Sequence, residues 1–198
     1  MHVQYTLELK PIVSIENVVA TGFVDQRVDL GKILKEFPDS EKKENFPGLI
    51  FKIQSPRSTT LIFTSGRMVC TGTRSANQAV TAIRTVAEKL QKAGIVTKDH
   101  LEITVRNIVA SANLGYRIHL ESAAKSMPRS MYEPEQFPGL IHRMVDPRSV
   151  ILLFASGKLV CAGTNKEAET YRAVNNLRAT LVEKNLMHGL DNIKNLTA

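Results

Sequence analysis

Phe46-Pro47-Gly48-Leu49-Ile50, then Pro56-Arg57-Ser58, then Leu61-Ile62-Phe63-Thr64-Ser65-Gly66-Arg67-Met68-Val69-Cys70-Thr71-Gly72-Thr73, is a stretch that the chain contains twice. The second copy runs Phe137-Pro138-Gly139-Leu140-Ile141, then Pro147-Arg148-Ser149, then Leu152-Leu153-Phe154-Ala155-Ser156-Gly157-Lys158-Leu159-Val160-Cys161-Ala162-Gly163-Thr164. The two are offset by a constant 91 residues, with no gap across the core of the match. A repeat of this length decides the architecture: the chain is two copies of one supersecondary unit.

The opening segments repeat as well. Glu16-Asn17-Val18-Val19-Ala20-Thr21 corresponds to Arg106-Asn107-Ile108-Val109-Ala110-Ser111 at an offset of 90. The second copy therefore holds one extra residue around Tyr132-Glu133-Pro134-Glu135-Gln136. Working outward, Ile12 to Val24 is β-branched and bounded by Pro11 and charged residues, which predicts a strand. Leu30 to Phe37 reads as a short helix stopped by Pro38. Phe46 to Ile53, Thr59 to Thr64 and Met68 to Gly72 read as strands, with tight turns at Ser55-Pro56-Arg57-Ser58 and Ser65-Gly66.

Ser75 and Gln78 have capping-box spacing, and Ala79, Ile83, Val86 and Leu90 form one stripe of a long helix stopped by Gly94. In the second copy the same reading places the box on Thr164 and Glu167 and the stripe on Tyr171, Val174, Leu177 and Leu181. The organisation expected is repeat 1 over residues 1–96, repeat 2 over 97–186 and a C-terminal tail over 187–198, with residues 1–10 as lead-in.

One long helix per copy covers only one face of an antiparallel sheet, so the other face is solvated or used. Alternation assigns the faces. Met68 and Cys70 face the core while Val69 and Thr71 face out; Leu159 and Cys161 face the core while Val160 and Ala162 face out. In the opening strands Asn17, Val19 and Thr21 alternate with Val18 and Ala20, and Asn107, Val109 and Ser111 with Ile108 and Ala110. An open apolar face carrying two equivalent asparagines marks a binding surface.

The 198 residues carry 26 Lys and Arg against 19 Asp and Glu, a net charge of +7 spread over both copies, which fits a polyanionic partner touched by each. Cys70 and Cys161 sit in equivalent apolar runs and read as small buried hydrophobes, not a disulfide or metal pair. The five histidines show no metal spacing, and no phosphate loop, nucleophile-and-base pair or zinc motif is present, so neither metal nor cofactor is expected. No leader-like run precedes the first strand and no apolar segment approaches membrane-spanning length; a soluble, intracellular protein without a membrane partner is expected.

These residues are recognisable together. Both Phe-Pro-Gly-Leu-Ile segments, both hairpin segments, the two asparagine segments and Tyr132 to Phe137 make the chain similar to the TATA-box-binding proteins, general transcription factors of archaea and eukaryotes, over about residues 10–185. Phe-Pro-Gly-Leu-Ile in both copies and the short N-terminus resemble archaeal members. The resemblance implies an α+β fold: a pseudo-twofold saddle of two tandem repeats, one curved antiparallel sheet with helices on the convex face. It implies a non-enzymatic factor whose concave face binds promoter DNA at a TATA element in the minor groove, kinks it, and nucleates assembly with transcription factor B and, indirectly, RNA polymerase. That binding mode is the family's known one and comes to this chain through the likeness.

On that footing Phe46 with Phe63, and Phe137 with Phe154, are the wedge pairs. Asn17 and Asn107 donate to adenine N3 and thymine O2, and Val19, Val69, Leu61, Val109, Leu152 and Val160 pack on the groove floor. Thr71 adds a hydroxyl; its mate is Ala162, where the family usually has threonine, so the central hydrogen bonds are not symmetric. Lys52, Arg57, Arg67, Arg74, Arg143, Arg148 and Lys158 are candidates for phosphate contacts, which position without specifying. Glu133, Glu135 and Gln136 resemble the loop that meets transcription factor B.

The location implied is the archaeal cytoplasm at the nucleoid, or a nucleus for a eukaryotic source, and weak pairing of two copies through the concave face is a further expectation. Two other classes compete. A DNA glycosylase on a related fold needs a catalytic domain for which no residues remain. A protein-only scaffold, using the concave face for a peptide or a second copy, would be favoured by loss of the wedges or the asparagines, and all six are present. The basic charge and the Lys194-Asn195-Leu196-Thr197-Ala198 ending depart from the acidic archaeal pattern.

Overall fold

The computed structural model describes residues 10–190, with the side chain of residue 190 excluded; all but the last residue of the lead-in expected at 1–10 lies outside them. In chain order the elements of the first copy are β1 (Ile12–Phe23), α1 (Leu30–Glu36), β2 (Leu49–Gln54), β3 (Arg57–Ile62), β4 (Arg67–Thr73) and α2 (Ala76–Lys92). Those of the second are β5 (Glu102–Asn113), β6 (Tyr116–Ile118), α3 (Leu120–Ser126), β7 (Ser130–Met131), β8 (Leu140–Met144), β9 (Ser149–Leu153), β10 (Lys158–Thr164), α4 (Glu167–Glu183) and β11 (Met187–Leu190).

Two compact units divide the chain: residues 15–109 with 165–167, and residues 110–164 with 10–14 and 168–190. In the first unit the strands lie in the order β2, β3, β4, β1, β5, with the β2–β3–β4 meander antiparallel. In the second, β10, β9, β8 and β7 follow the end of β5, again antiparallel.

Each unit buries its own core. In the first, Val18, Ala20, Leu49, Ile62, Met68 and Cys70 meet Ala79, Ala82, Ile83, Val86 and Leu90 of α2, while Ile33 of α1 closes the rim. In the second, Leu140, Ile151, Leu153, Leu159 and Cys161 meet Ala173, Val174, Leu177 and Leu181 of α4, with Leu120 and Ala123 from α3. Each large aliphatic side chain in these sets contributes about 1.5–3 kcal/mol relative to exposure. Both cysteines are free, and burial pushes their thiols up, so they behave as small hydrophobes.

The helix ends follow local chemistry. Asp29 caps α1 through Oδ1, accepting from the N–H of Gly31 at 2.9 Å and of Lys32 at 3.1 Å. Ser75 caps α2 by accepting from Gln78 N at 3.1 Å, and Gln78 Oε1 reaches back to Arg74 N. The box read at Thr164 and Glu167 does not form. Thr164 is the last residue of β10 and is buried, and its hydroxyl meets that of Thr170 at 2.6 Å. Glu167 is already helical, and its Oε1 accepts from Ala76 N at 2.8 Å, one of the orphan donors of α2.

Val174, Leu177 and Leu181 of the stripe read from sequence are buried, but its first member differs by one residue. Thr170 is buried and Tyr171, assigned to the stripe from sequence, is 42% exposed. Residues 187–190, expected in a tail, form β11, which pairs with β6 and half-buries Met187; the rest of that tail lies outside the described residues.

Candidate nucleic-acid interface

The strands that cover the core on one side leave the other side without a helix. Register puts the outward residues of the first unit in two rows. Ile50 stands opposite Leu61, Leu61 opposite Val69, and Val69 opposite Thr21. Lys52 stands opposite Thr59, and Thr59 opposite Thr71. The second unit has the same rows: Ile141, Leu152 and Val160 in one, and Arg143, Val150 and Ala162 in the other.

Asn17, Val19, Leu61, Val69 and Thr71, and likewise Asn107, Val109, Leu152, Val160 and Ala162, are all partly exposed, whereas their strand neighbours Val18, Ala20, Ile108 and Ala110 are fully buried. Thr21, read from sequence on the same face as Asn17 and Val19, joins these rows; Ile50, Thr59, Ile141 and Val150 belong to them too and were missed from sequence. The hairpin register would have found them, because a strand neighbour two residues away shares its face.

At the end of each set of rows sits a phenylalanine pair. Phe46 and Phe63 have ring centroids 5.8 Å apart at 63°, and Phe137 and Phe154 5.9 Å apart at 63°, both edge-to-face. Neither member is inside a strand. Phe46 was expected to begin β2, but that strand starts at Leu49. Phe63 follows Ile62 and closes the hairpin, accepting from Gly66 N at 2.9 Å and donating to Arg67 O at 2.9 Å; Phe154 does the same with Gly157 and Lys158.

Glycine between them makes the room. A Cβ on Gly48 would lie 2.8 Å from Phe46 Cε1 and 3.0 Å from Phe63 Cε1; on Gly139 it would lie 2.7 Å from Phe137 Cε1 and 3.0 Å from Phe154 Cε1. The glycine of each Phe-Pro-Gly-Leu-Ile segment thus lets two rings gather over bare backbone. Phe137 is 36% exposed, a large apolar surface that monomeric folding would normally cover.

The two loops that enter these pairs differ. In the first unit Lys42 Nζ donates to the carbonyls of Phe46 and, at 3.1 Å, of Gly48. In the second the loop is held by backbone instead: the Glu133 carbonyl accepts from Gln136 N and Phe137 N, each at 2.9 Å. Glu133, Glu135 and Gln136 are themselves exposed.

Asn17 has defined partners. Its Oδ1 accepts from Gly72 N at 2.8 Å and from the Thr71 hydroxyl at 3.1 Å. Because a backbone N–H can only donate, the amide oxygen faces the protein and the two amide N–H groups face away.

The basic candidates Lys52, Arg57, Arg67, Arg74, Arg143, Arg148 and Lys158 are all exposed. Lys52 is engaged in an ion pair with Glu41 at 2.5 Å, and that bond, with the lysine charge behind it, holds the Glu41 carboxyl below its ordinary value. The Arg67 guanidinium lies 5.5 Å from the Phe23 ring centroid. Among the described residues no group of three or more His, Cys, Asp and Glu side chains could hold a metal, and no helix is long and apolar enough to cross a membrane.

Known proteins resemble this chain over nearly its whole length. The sequence model of the family described as "Transcription factor TFIID (or TATA-binding protein, TBP)" matches residues 12–93 and again 102–184. The TATA-box-binding protein of Pyrodictium occultum is 47% identical over 171 residues, covering 86% of each chain. That of Sulfolobus acidocaldarius is 45% identical over 175 residues, covering 88% of this chain and 89% of the relative. The solved structure of Methanococcus jannaschii TBP superposes with a TM-score of 0.77 at 37% identity, covering 86% of this chain and 98% of that one. With both copies matched and the fold shared, the chain belongs to the TATA-binding protein family.

Proposed function

We propose that the chain is a general transcription initiation factor that binds the TATA element of promoter DNA through its open sheet face. The face enters the minor groove. Its half-exposed rows, with Leu61, Val69 and Val19 in one unit and Leu152, Val160 and Val109 in the other, pack against the groove floor. An apolar floor leaves the guanine amino group without a partner and so disfavours G·C pairs. Phe46 with Phe63, and Phe137 with Phe154, wedge into base steps and kink the duplex. Unstacking is offset by the protein surface that bent DNA covers. Arg57, Arg67, Arg74, Arg143, Arg148 and Lys158 neutralise phosphates, and Lys52 joins them when it leaves Glu41. The role is architectural, and no chemistry is done on the DNA.

The bent complex is then read by transcription factor B at the exposed Glu133, Glu135 and Gln136, and RNA polymerase follows indirectly. The protein works at the chromosome, in an archaeal cell within the cytoplasm, and off DNA the same open face offers a second copy a place for weak pairing.

The observation that carries this reading is the seating of both phenylalanine pairs: ring on ring over a glycine, outside the strands and beside an uncovered apolar row. Binding to an A·T-rich TATA duplex and to a G·C-substituted control, measured by gel shift with a bend-sensitive fluorescence pair at two salt concentrations, tests it. The TATA duplex should bind more tightly and bend. Phe137→Ala with Phe154→Ala should remove the bend and weaken binding more than about tenfold. Equal affinity for both duplexes without bending would overturn the reading.

A further inference from the structure

The loop that carries Phe46 is closed at its base by a bridge: Glu41 N donates to Ile50 O at 2.9 Å and Ile50 N to Glu41 O at 2.8 Å. Inside the loop, Phe46 N donates to Lys43 O at 3.2 Å. The turn that seats the wedge is held by a side chain. Lys42 Nζ donates to Phe46 O and, at 3.1 Å, to Gly48 O, the carbonyls of the residues on either side of Pro47. Pro47 has no N–H of its own with which to pin this turn. One ammonium therefore ties together the residue that bears the wedge ring and the bare glycine over which both rings gather. Hydrogen bonds from a charged donor are stronger than neutral ones. Lys42 is exposed, yet its ammonium lies against the chain's own carbonyls.

We propose that Lys42 is a positioning residue that holds the first wedge, Phe46 with Phe63, seated before DNA arrives, so that this loop need not be ordered during binding. The role in kinking rests on the DNA-binding reading above; the clamp on the free chain does not. A lysine beside the wedge has one competing use, a phosphate contact. Salt separates the two. A phosphate contact releases about one counterion and steepens the fall of log affinity with log salt by about one, whereas a clamp leaves that slope alone.

The first test is amide hydrogen exchange on the full chain without DNA. Lys42→Met keeps the aliphatic stem and removes the donors. The Phe46 and Gly48 amides should exchange about five- to tenfold faster, with Phe137 and Gly139 unchanged. Lys42→Arg, which keeps charge and donors, should stay close to the parent. The second test uses a self-complementary A·T duplex with 2-aminopurine in place of adenine at both end steps, so that either orientation of the protein reads the same. With protein in excess, Lys42→Met should cut the fluorescence rise on binding to about half, since one of two wedges is affected. Its affinity should fall about three- to tenfold, with the salt slope unchanged.

Unchanged exchange in Lys42→Met would overturn the clamp whatever the DNA shows. A full fluorescence rise with a salt slope shallower by about one would make Lys42 a phosphate contact and overturn the positioning role. Loss of the entire rise would assign the effect to the whole face and overturn it as well. A parent chain that neither binds the duplex nor raises its fluorescence would overturn the DNA-binding reading and the kinking role with it, while the exchange result would still decide the clamp.

Discussion

The segment that follows each long helix takes the same path by different means. After α2 the chain turns with Ile95 and Val96 donating to Leu90 O, and after α4 Leu186 donates to Leu181 O, 91 residues on. In the first unit the next residues are held by a side chain: Gln26 Oε1 accepts from Thr97 N and Lys98 N, each at 2.9 Å, and its Nε2 donates to Ile95 O at 3.2 Å. In the second the work passes to backbone: Met187–Leu190 pairs with Tyr116–Ile118, and the His188 ring stacks on His119 with centroids 3.7 Å apart. Interior positions diverge in the same way. Thr164 shares a 2.6 Å hydrogen bond with Thr170, but Thr73, its mate in the first unit, is a buried hydroxyl with no partner, because alanine stands at the position equivalent to Thr170. The wedge pairs, by contrast, agree within 0.1 Å in spacing and in angle. The two copies keep the geometry of the open face and differ in how each supports it.

The buried threonines give the largest expected difference between the units. Replacement by valine keeps the shape and deletes the hydroxyl. Thr164→Val removes a hydrogen bond between buried groups and should cost about 1 kcal/mol or more. Thr73→Val removes a desolvated hydroxyl that has no partner, and should be neutral or stabilising by up to about 1 kcal/mol. Urea unfolding of the two single variants against the parent measures both signs. The same sign for both would mean that Thr73 finds a partner, such as a water, that equalises the two sites.

The caps come next. Ser75 satisfies a donor of the first turn of α2, whereas the equivalent residue ahead of α4 is Lys166, a cation at the positive end of a helix. Ser75→Ala should cost about 1 kcal/mol, and Lys166→Ser should return roughly half to all of that to α4. Thermal unfolding of each variant checks the pair; a stabilising Ser75→Ala or a destabilising Lys166→Ser would break the comparison.

That cap was misread from sequence for a reason that applies widely. Thr164 and Glu167 have the right spacing, but spacing is local, and the strand ladder of β10 had already claimed Thr164. Tyr171 failed separately: Thr170, one residue earlier, takes the inward position at the start of a stripe in which Val174, Leu177 and Leu181 are buried as read. Alternation, by contrast, was legible throughout: Val69, Thr71, Val160 and Ala162 face out as read, because a strand's period of two depends on nothing outside it. The repeat exposed the phenylalanine pairs and the asparagines. What could not be read is what long-range folding supplies: the Asn17–Thr71 bond joins residues 54 apart, and the β6–β11 pairing joins segments with no strand pattern of their own.

The smallest effect concerns pH and separates the two post-helix segments. Desolvation, then the charges of His119 and Arg117, lower the His188 pKa below its ordinary value of 6.5. The unfolded chain therefore binds the proton more readily than the folded one. The stability tied to neutral His188 is fully present above the unfolded value and is lost as pH falls through it toward the lower folded value. Stacking two rings at 3.7 Å adds repulsion once both are charged. Nothing comparable holds Ile95–Lys98, because the Gln26 amide does not titrate. The neighbouring Asp25 carboxyl, held below 3.8 first by its hydrogen bond to Lys98 and then by that lysine's charge, stays ionised over the same range. Amide hydrogen exchange, corrected for the intrinsic pH dependence, should therefore show Met187–Leu190 opening more readily at pH about 5.5 than at 7.5, with Thr97 and Lys98 unchanged, and His188→Gln should abolish the difference. Equal loosening of both segments would assign the effect to the whole fold instead of the histidine stack.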